Sequence, residues 1–384
     1  MLKCDESRPA CLNCVNTEFS CSYRSATSTT LMVTETSAQQ TVPAHSPLGD
    51  LPTVSGIEIV EALPISSPAD VAFSQSSSQN GVNMLHLELL HHMSSVTWKG
   101  FGPNGSQAKV TFDAAVNIAL GAPFLMHQLL AVSALHLSTL RLAKRDYYSS
   151  EATRLQTEAL TLFNNLNPEW MSENTVPVLL FSSLLGIHVL FDTLLFRPAD
   201  FSVFIDRFVD YLRLHRGVHA VVKGSWSILL ESEIAPMLRT RSVVESQNIG
   251  NNECGPLKLL IDSSNLSEQA IGTCVQAIDR LQWVFDSFHI RNESSEDDME
   301  VDLIFAWPST VSLEYTELLL QKRPEALAIL AHYAVLLHWR RSLWVIKDGG
   351  IFLIEAIMRY LGSYWEHWLA YPASQILDSS THNG

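Results

Sequence analysis

From about residue 84 onward, apolar side chains recur at steps of three and four residues, a spacing that places them on one face of an α-helix. Two such faces consist of Ala152, Leu155, Ala159, Leu162, Phe163 and Leu166, and of Phe201, Phe204, Ile205, Phe208 and Leu212. No run alternates with period two for long enough to suggest a sheet. The stretch of roughly 300 residues is long enough for one large domain with a substantial core. The sequence therefore predicts an all-α fold, with residues 84–384 as the helical domain.

Prolines and glycines predict where the helices begin and end. Pro123 and Pro324 each precede an apolar run and suit the first turn of a helix. Gly217 is placed to end the helix that contains Phe201. A last helix is predicted over about residues 351–369, and the pair Gly349-Gly350 before it is most simply a turn between two helices.

The most apolar segment, residues 176–191, invites a comparison with a membrane span. It is shorter than the roughly 20 residues that a bilayer requires, and Asp192 follows it directly. Ser182, Ser183 and His188 lie inside it. The sequence therefore predicts a core helix and no membrane span.

Four of the six cysteines of the chain lie in its first 21 residues, spaced C-x6-C-x2-C-x6-C: Cys4, Cys11, Cys14 and Cys21. Zinc takes four thiolates in a tetrahedron, and a C-x2-C turn aims two sulfurs at one metal ion. The alternative is a disulfide framework in a secreted protein. Asp5 and Glu6 stand where a signal peptide would need an apolar run, so the pattern favours zinc.

Residues 25–83 differ in composition from the segments on either side. Ser, Thr, Pro, Gln and Ala dominate, and the stretch contains no Lys or Arg. Such a composition buries too little apolar surface to offset the entropy of ordering, so a disordered linker is predicted. Its segment Ile57–Leu63 mixes acids with aliphatics as activation segments do, but a spacer that contains a transient strand is the favoured interpretation.

The cysteine spacing, with Pro9 in the loop, resembles the second half of the fungal zinc binuclear cluster, a domain of transcription factors that bind promoter DNA. Residues 1–24 are interpreted as this partial cluster. The resemblance implies zinc as cofactor, a nuclear location, Lys3 and Arg8 as DNA contacts, and four metal ligands that match the third to sixth cysteines of the family: Cys4, Cys11, Cys14 and Cys21. A leading C-x2-C and its basic run have no counterpart, so these four thiolates could hold one zinc ion but not the two-metal cluster.

The charge balance bears on DNA binding, which requires Lys and Arg to neutralise phosphates. Residues 1–24 carry three cationic and three acidic side chains, which sum to zero, and the whole chain has a net charge of −15. The chain as written is therefore expected to bind DNA poorly.

Several segments of the helical region resemble the regulatory domain of sterol-uptake-control-type fungal regulators. They include residues 86–92, residues 122–142, residues 214–218, Trp307-Pro308, residues 323–333, and Trp344 followed by Gly349-Gly350. In such regulators the helical domain holds an apolar ligand and controls access to the nucleus or to promoters, and other relatives activate secondary-metabolite gene clusters. The resemblance thus implies an apolar effector, with Trp344, Gly349 and Gly350 near its pocket. A homodimer, if one forms, is expected through the helical domain, because the linker carries no heptad repeat.

Enzyme motifs do not compete with this interpretation. His86, Glu88, His91 and His92 do not follow the H-E-x-x-H order, and Asp297-Asp298 lies in a polar acidic run that suggests an exposed loop. No Walker, G-x-S-x-G or dinucleotide glycine motif occurs.

Two hypotheses follow, from different classes of protein. The first is a zinc-cluster transcription factor of a metabolic pathway, for either secondary metabolites or sterols and lipids; it predicts a C-x2-C and a basic run encoded upstream of Met1. The second is a helical regulator that does not bind DNA, and that senses an apolar ligand or titrates partner factors.

Overall fold

The structure is a computed structural model, and it describes residues 82–100, 106–232, 234–235, 252–292 and 302–378. The predicted partial zinc cluster (1–24), almost all of the predicted linker (25–83) and Asp297-Asp298 therefore lie outside the described residues. The domain boundaries given above stay predictions.

Within the described ranges all regular structure is helical and no strand occurs, which confirms the all-α prediction. The α-helices are α1 (Met84–His92), α2 (Ser106–Leu120), α3 (Pro123–Leu140), α4 (Arg145–Asn164), α5 (Pro168–Glu173), α6 (Thr175–Leu195), α7 (Phe201–Glu231), α8 (Gly255–Asp262), α9 (Glu268–Asn292), α10 (Asp302–Thr310), α11 (Leu313–Leu320), α12 (Pro324–Trp339), α13 (Gly349–Leu361) and α14 (Ala370–Asp378). A π-helical turn, Met93–Thr97, and a 3-10 turn, Trp98–Gly100, continue α1. A 3-10 turn, Leu142–Lys144, joins α3 to α4.

Helices that follow one another in the chain pack as pairs: α3 with α4, α6 with α7, and α12 with α13. The pairs are joined through α3 against α6 and through α7 against α10 and α11. Helix α12 is the most enclosed, because every residue from Glu325 to His338 is buried. A helix that is apolar all round, as this one nearly is, must lie inside the domain, and one continuous apolar cluster surrounds it.

Prolines marked helix starts correctly, whereas Gly217 does not mark a helix end. Pro123 and Pro324 both lie in the first turn of their helices, as predicted. The prediction that Gly217 ends its helix is wrong, because α7 continues for 14 residues beyond it, to Glu231. An exposed glycine costs a helix only about 1 kcal/mol relative to alanine, and near the end of α7 Leu229 is buried again.

The C-terminal helical region differs from its prediction in two ways. The helix expected over 351–369 ends early, because α13 stops at Leu361 and Gly362 follows it at a φ of 75°. A 3-10 turn, Ser363–Trp365, comes next, and α14 begins only at Ala370. The pair Gly349-Gly350 is not a turn, because both residues belong to the first turn of α13. The turn lies before them, from Arg340 to Asp348.

Helix α6 contains the segment that was compared with a membrane span. The length argument is wrong, since the helix has 21 residues and runs three residues past Asp192 to Leu195. By length and composition alone it could cross a bilayer. However, 72% of its most apolar window is buried inside the structure, which is how the core helix of a helical domain appears.

Candidate functional site

The predicted zinc ligands Cys4, Cys11, Cys14 and Cys21, and the predicted DNA contacts Lys3 and Arg8, lie outside the described residues, and their roles stay predictions. The remaining two cysteines, Cys254 and Cys274, are free and buried. Burial raises the pKa of the Cys274 thiol to about 12 and that of Cys254 further still. In the described part of the chain, no three His, Cys, Asp or Glu side chains are grouped closely enough to hold a metal ion.

Trp344, which the resemblance places near a ligand pocket, lies in a cleft of the helical domain. The cleft is formed by the end of α3, the 3-10 turn after it, the first residue of α4, the end of α6 and the turn before α13. Its residues are Thr139, Leu142, Arg145, Phe191, Leu194, Leu195, Arg197, Trp344, Val345, Ile346, Lys347 and Asp348. Its volume is about 80 Å³. Pockets for drug-sized ligands are several times larger, so the cleft in this conformation admits a group the size of one side chain.

The indole of Trp344 is held in place by two other rings. It stacks on the imidazole of His136, with ring centroids 4.6 Å apart and planes at 17°, and it contacts Phe191 at 5.4 Å. His136 in turn lies 2.9 Å from the hydroxyl of Thr97 and 5.0 Å, between ring centroids, from His92. Burial first, and then the nearby His92 and Lys347, lower the pKa of His136 to about 4. Trp344 therefore rests on an uncharged imidazole at neutral pH.

Three cations and one acid line the cleft. The guanidinium of Arg197 donates two hydrogen bonds to the carboxylate of Asp348, one of them 2.9 Å long, and lies over the ring of Phe352. The hydrogen bond from Arg197 is also the main reason why the pKa of Asp348 is lowered. Arg145 and Lys347 are exposed, and neither forms an ion pair with any residue that the structure describes.

Gly349 and Gly350 lie beside the cleft but face different neighbours. A Cβ on Gly349 would come within 2.8 Å of the Leu194 side chain, which lines the cleft. A Cβ on Gly350 would instead meet the backbone of α12, 2.4 Å from the nitrogen of His338. Trp344 and Gly349 are thus brought together around the cleft, whereas Gly350 faces away from it. Their role in an effector pocket stays a prediction.

Glu88, which drew attention beside three histidines, has structural partners. Arg141 donates a hydrogen bond to its carboxylate, and the hydroxyl of Tyr148 lies 3.3 Å from the same oxygen. The hydrogen bond from Arg141 is the first reason why the pKa of Glu88 is lowered. These contacts fasten α1 to the start of α4.

The sequence analysis missed the cationic residues of the cleft. Arg145, Arg197 and Lys347 are separated by up to 202 positions in the chain, and only folding brings them together. A weak local signal existed, because the segment Arg141–Arg145 carries three cations and no acid in an acidic chain.

Comparison with known proteins yields one family match and two relatives. Residues 2–30 match the fungal Zn(2)-Cys(6) binuclear cluster domain. A Zn(2)-C6 fungal-type transcription factor of Gibberella zeae is 26% identical over 352 residues, which cover 82% of this chain and 66% of the relative. Sterol uptake control protein 2 of Saccharomyces cerevisiae is 34% identical over 116 residues, or 29% of this chain and 12% of that protein. The chain thus aligns with just under two thirds of the first relative and about an eighth of the second.

The chain is thus similar to a fungal zinc cluster domain and to a fungal transcription factor of that type, and none of the three is named for an enzymatic activity. They confirm zinc as the cofactor, and the binuclear domain binds two zinc ions. In residues 2–30 this chain supplies four cysteines, against the six of the domain's description.

Proposed function

We propose that this chain, taken as a fungal zinc cluster transcription factor, regulates transcription by RNA polymerase II of a metabolic pathway, either a secondary-metabolite gene cluster or genes of sterol and lipid metabolism. One observation carries the proposal: a single chain joins residues 2–30, which match the zinc cluster, to a helical domain, and 82% of this chain aligns with a Zn(2)-C6 fungal-type transcription factor. The similarity to a sterol uptake control protein over 116 residues favours the lipid branch.

In this proposal the cysteine motif holds zinc and the zinc-bound segment binds promoter DNA in the nucleus. The ligands are Cys4, Cys11, Cys14 and Cys21, because a thiolate set with a C-x2-C turn matches tetrahedral zinc. Lys3 and Arg8 contact phosphates, which position a protein on DNA without reading its sequence.

The helical domain supplies the regulation, through an apolar effector or a homodimer. The cleft at Trp344 is too small for a sterol in the described conformation, so an effector of that size requires the elements that line the cleft to move apart. Ergosterol that raises the melting temperature of the full chain would support an effector site. A melting temperature that is unchanged at saturating ergosterol would exclude this sterol as the effector.

A second candidate function is a helical regulator that acts on partner factors without binding DNA itself. The balance of charge favours it, because residues 1–24 carry no net positive charge and the chain has a net charge of −15. Phosphate neutralisation supplies most of the affinity for DNA, so such a chain attracts the duplex weakly.

The deciding experiment is chromatin immunoprecipitation of the tagged chain in its fungal host, followed by sequencing of the recovered DNA. The matched variant is Cys14→Ala, which removes one thiolate of the C-x2-C turn. Promoter enrichment that disappears in the variant supports zinc-dependent DNA binding. Enrichment that is equal in both chains shows recruitment through partners and favours the second function. No enrichment, together with unchanged transcripts in a deletion strain, contradicts both.

A further inference from the structure

The mouth of the Trp344 cleft exposes apolar side chains that the fold leaves uncovered. Leu142 and Leu195 both line the cleft and are 72% and 51% exposed. Leu140, two residues before Leu142, is also exposed. Single exposed leucines are ordinary, but several at the edge of one aromatic-floored cleft are typical of an interaction site.

The charge of the cleft is opposite to that of the chain. Arg145, Arg197 and Lys347 against Asp348 give the lining a formal charge of +2, whereas the whole chain carries −15. The charge of Arg197 is compensated by Asp348, but Arg145 and Lys347 have no such partner in the described residues. A local positive surface on an acidic protein attracts acidic segments of a partner.

The size of the cleft limits what can enter it. A ligand of this site must meet two conditions: the part that enters the cleft must fit about 80 Å³, the size of one apolar side chain, and the rest must cover the exposed Leu142 and Leu195 at the mouth. A peptide satisfies both conditions, because one side chain can enter the cleft while the rest lies across its mouth. Amphipathic helices bind grooves in this way, with a few apolar anchors that contribute most of the affinity.

We propose that this cleft is a docking site for an acidic amphipathic segment of a partner protein. An apolar side chain of the segment enters between Leu142 and Leu195 and rests on Trp344. Carboxylates of the segment pair with Arg145 and Lys347 at the mouth. Both cations are exposed, so they contribute mainly to the rate of association and to its dependence on salt.

Fluorescence anisotropy of the purified full chain tests the proposal. The probe is a fluorescein-labelled synthetic helical peptide with leucines at positions i, i+3 and i+7 and glutamates on its other face. We expect saturable binding by the native chain, weakened roughly tenfold in the double variant Arg145→Glu/Lys347→Glu by the lost attraction and the added repulsion. Absence of saturable binding by the native chain would overturn the proposal.

Matched variants separate the cleft from the general electrostatics of the protein. Arg280→Glu and Arg359→Glu reverse exposed cations outside the cleft lining and should change the dissociation constant by less than about twofold. Leu142→Ser removes the apolar rim at an exposed position, and we expect at least about fivefold weaker binding with an unchanged thermal melt. An all-glutamate peptide without leucines that binds as tightly as the probe would show a simple polyanion site and contradict the proposal.

Discussion

The backbone of Gly350 lies directly against the backbone of His338. A Cβ at Gly350 would fall 2.4 Å from the His338 nitrogen and 2.8 Å from the Ala334 carbonyl oxygen. Real Cβ atoms do not approach backbone atoms so closely, and backbone, unlike the end of a flexible side chain, cannot move aside cheaply. The first turn of α13 therefore packs on α12 only because residue 350 has no side chain.

Gly350→Ala is expected to lower the free energy of unfolding by roughly 2–3 kcal/mol, because the extra methyl group pushes α13 away from the central helix. Urea unfolding of the full chain, followed by circular dichroism at 222 nm, measures the change. An alanine variant as stable as the native chain would contradict the close approach of the two helices.

Gly217→Ala is the matched substitution, and it is expected to have the opposite sign. Gly217 is exposed within α7, and nothing lies within 4 Å of a Cβ at this position. Alanine there reduces the entropy lost on folding and should raise the free energy of unfolding by about 0.5–1 kcal/mol. If Gly217→Ala is destabilised instead, α7 does not continue through residue 217, and the sequence-based prediction that the helix ends there is correct.

Gly217 and Gly362 show why local sequence predicts the presence of helices better than it predicts where they end. The spacing of Phe204, Phe208 and Leu212 fixes a buried face, and the structure buries all three. Whether a glycine ends a helix depends on what the rest of the fold places beside it. At Gly217 nothing intervenes and the helix continues, whereas at Gly362 the chain takes a positive φ and turns away.

The candidate site was harder to predict from sequence than the fold. The spacing of Cys4, Cys11, Cys14 and Cys21 can be recognised by itself because zinc coordination needs thiolates close in the chain. The cleft joins the end of α3, the end of α6 and the turn before α13, so no local pattern reveals it. The resemblance to a known family pointed to Trp344. The positions of His136 and of the cations beside it are set by tertiary packing, so the sequence did not reveal them.

The six cysteines are expected to fall into two chemical classes. Iodoacetamide reacts with thiolates. Cys254 and Cys274 are buried, and because burial raises the pKa of both thiols, they stay protonated at pH 8. After zinc is removed with a chelator, mass spectrometry should find carbamidomethyl groups on the four motif cysteines and not on these two. Equal labelling of all six without denaturant would contradict the burial of Cys254 and Cys274.

Zinc content should depend on the motif alone. Cys14→Ala removes a predicted ligand, and we expect the purified chain to lose most of its bound zinc because three thiolates hold the ion much less tightly than four. Inductively coupled plasma mass spectrometry of the dialysed protein gives the metal-to-chain ratio. Cys274→Ala is the control and should retain the native ratio. The native ratio also distinguishes one bound ion per chain from two.

The stability of the helical domain should fall as the pH is lowered from 7 to 5. His332 is buried in α12, with Nδ1 2.9 Å from the Ala328 carbonyl oxygen and the ring stacked on Tyr371. Its Nε2 is buried and has no hydrogen-bond partner among the described residues, so a proton placed there would find no acceptor. Burial lowers the pKa of His332 to about 4, and the same cause lowers that of His136 to about 4 and that of His188 to about 3.

The sign of the effect follows from which state binds the proton. Between pH 6.5 and 4 the unfolded chain protonates these histidines and the folded chain does not, so acid favours unfolding, by about 2 kcal/mol at pH 5 for a fully buried histidine such as His332. Asp192 and Asp210 oppose this, because burial raises the pKa of both, that of Asp192 to about 6. They are two groups against six histidines whose pKa burial lowers. Thermal melts at pH 5, 6 and 7 measure the slope. His332→Gln should reduce this slope, because one of the contributing histidines is lost, while the exposed control His91→Gln should retain it. Equal slopes in all three chains would show that His332 is not held uncharged in the core.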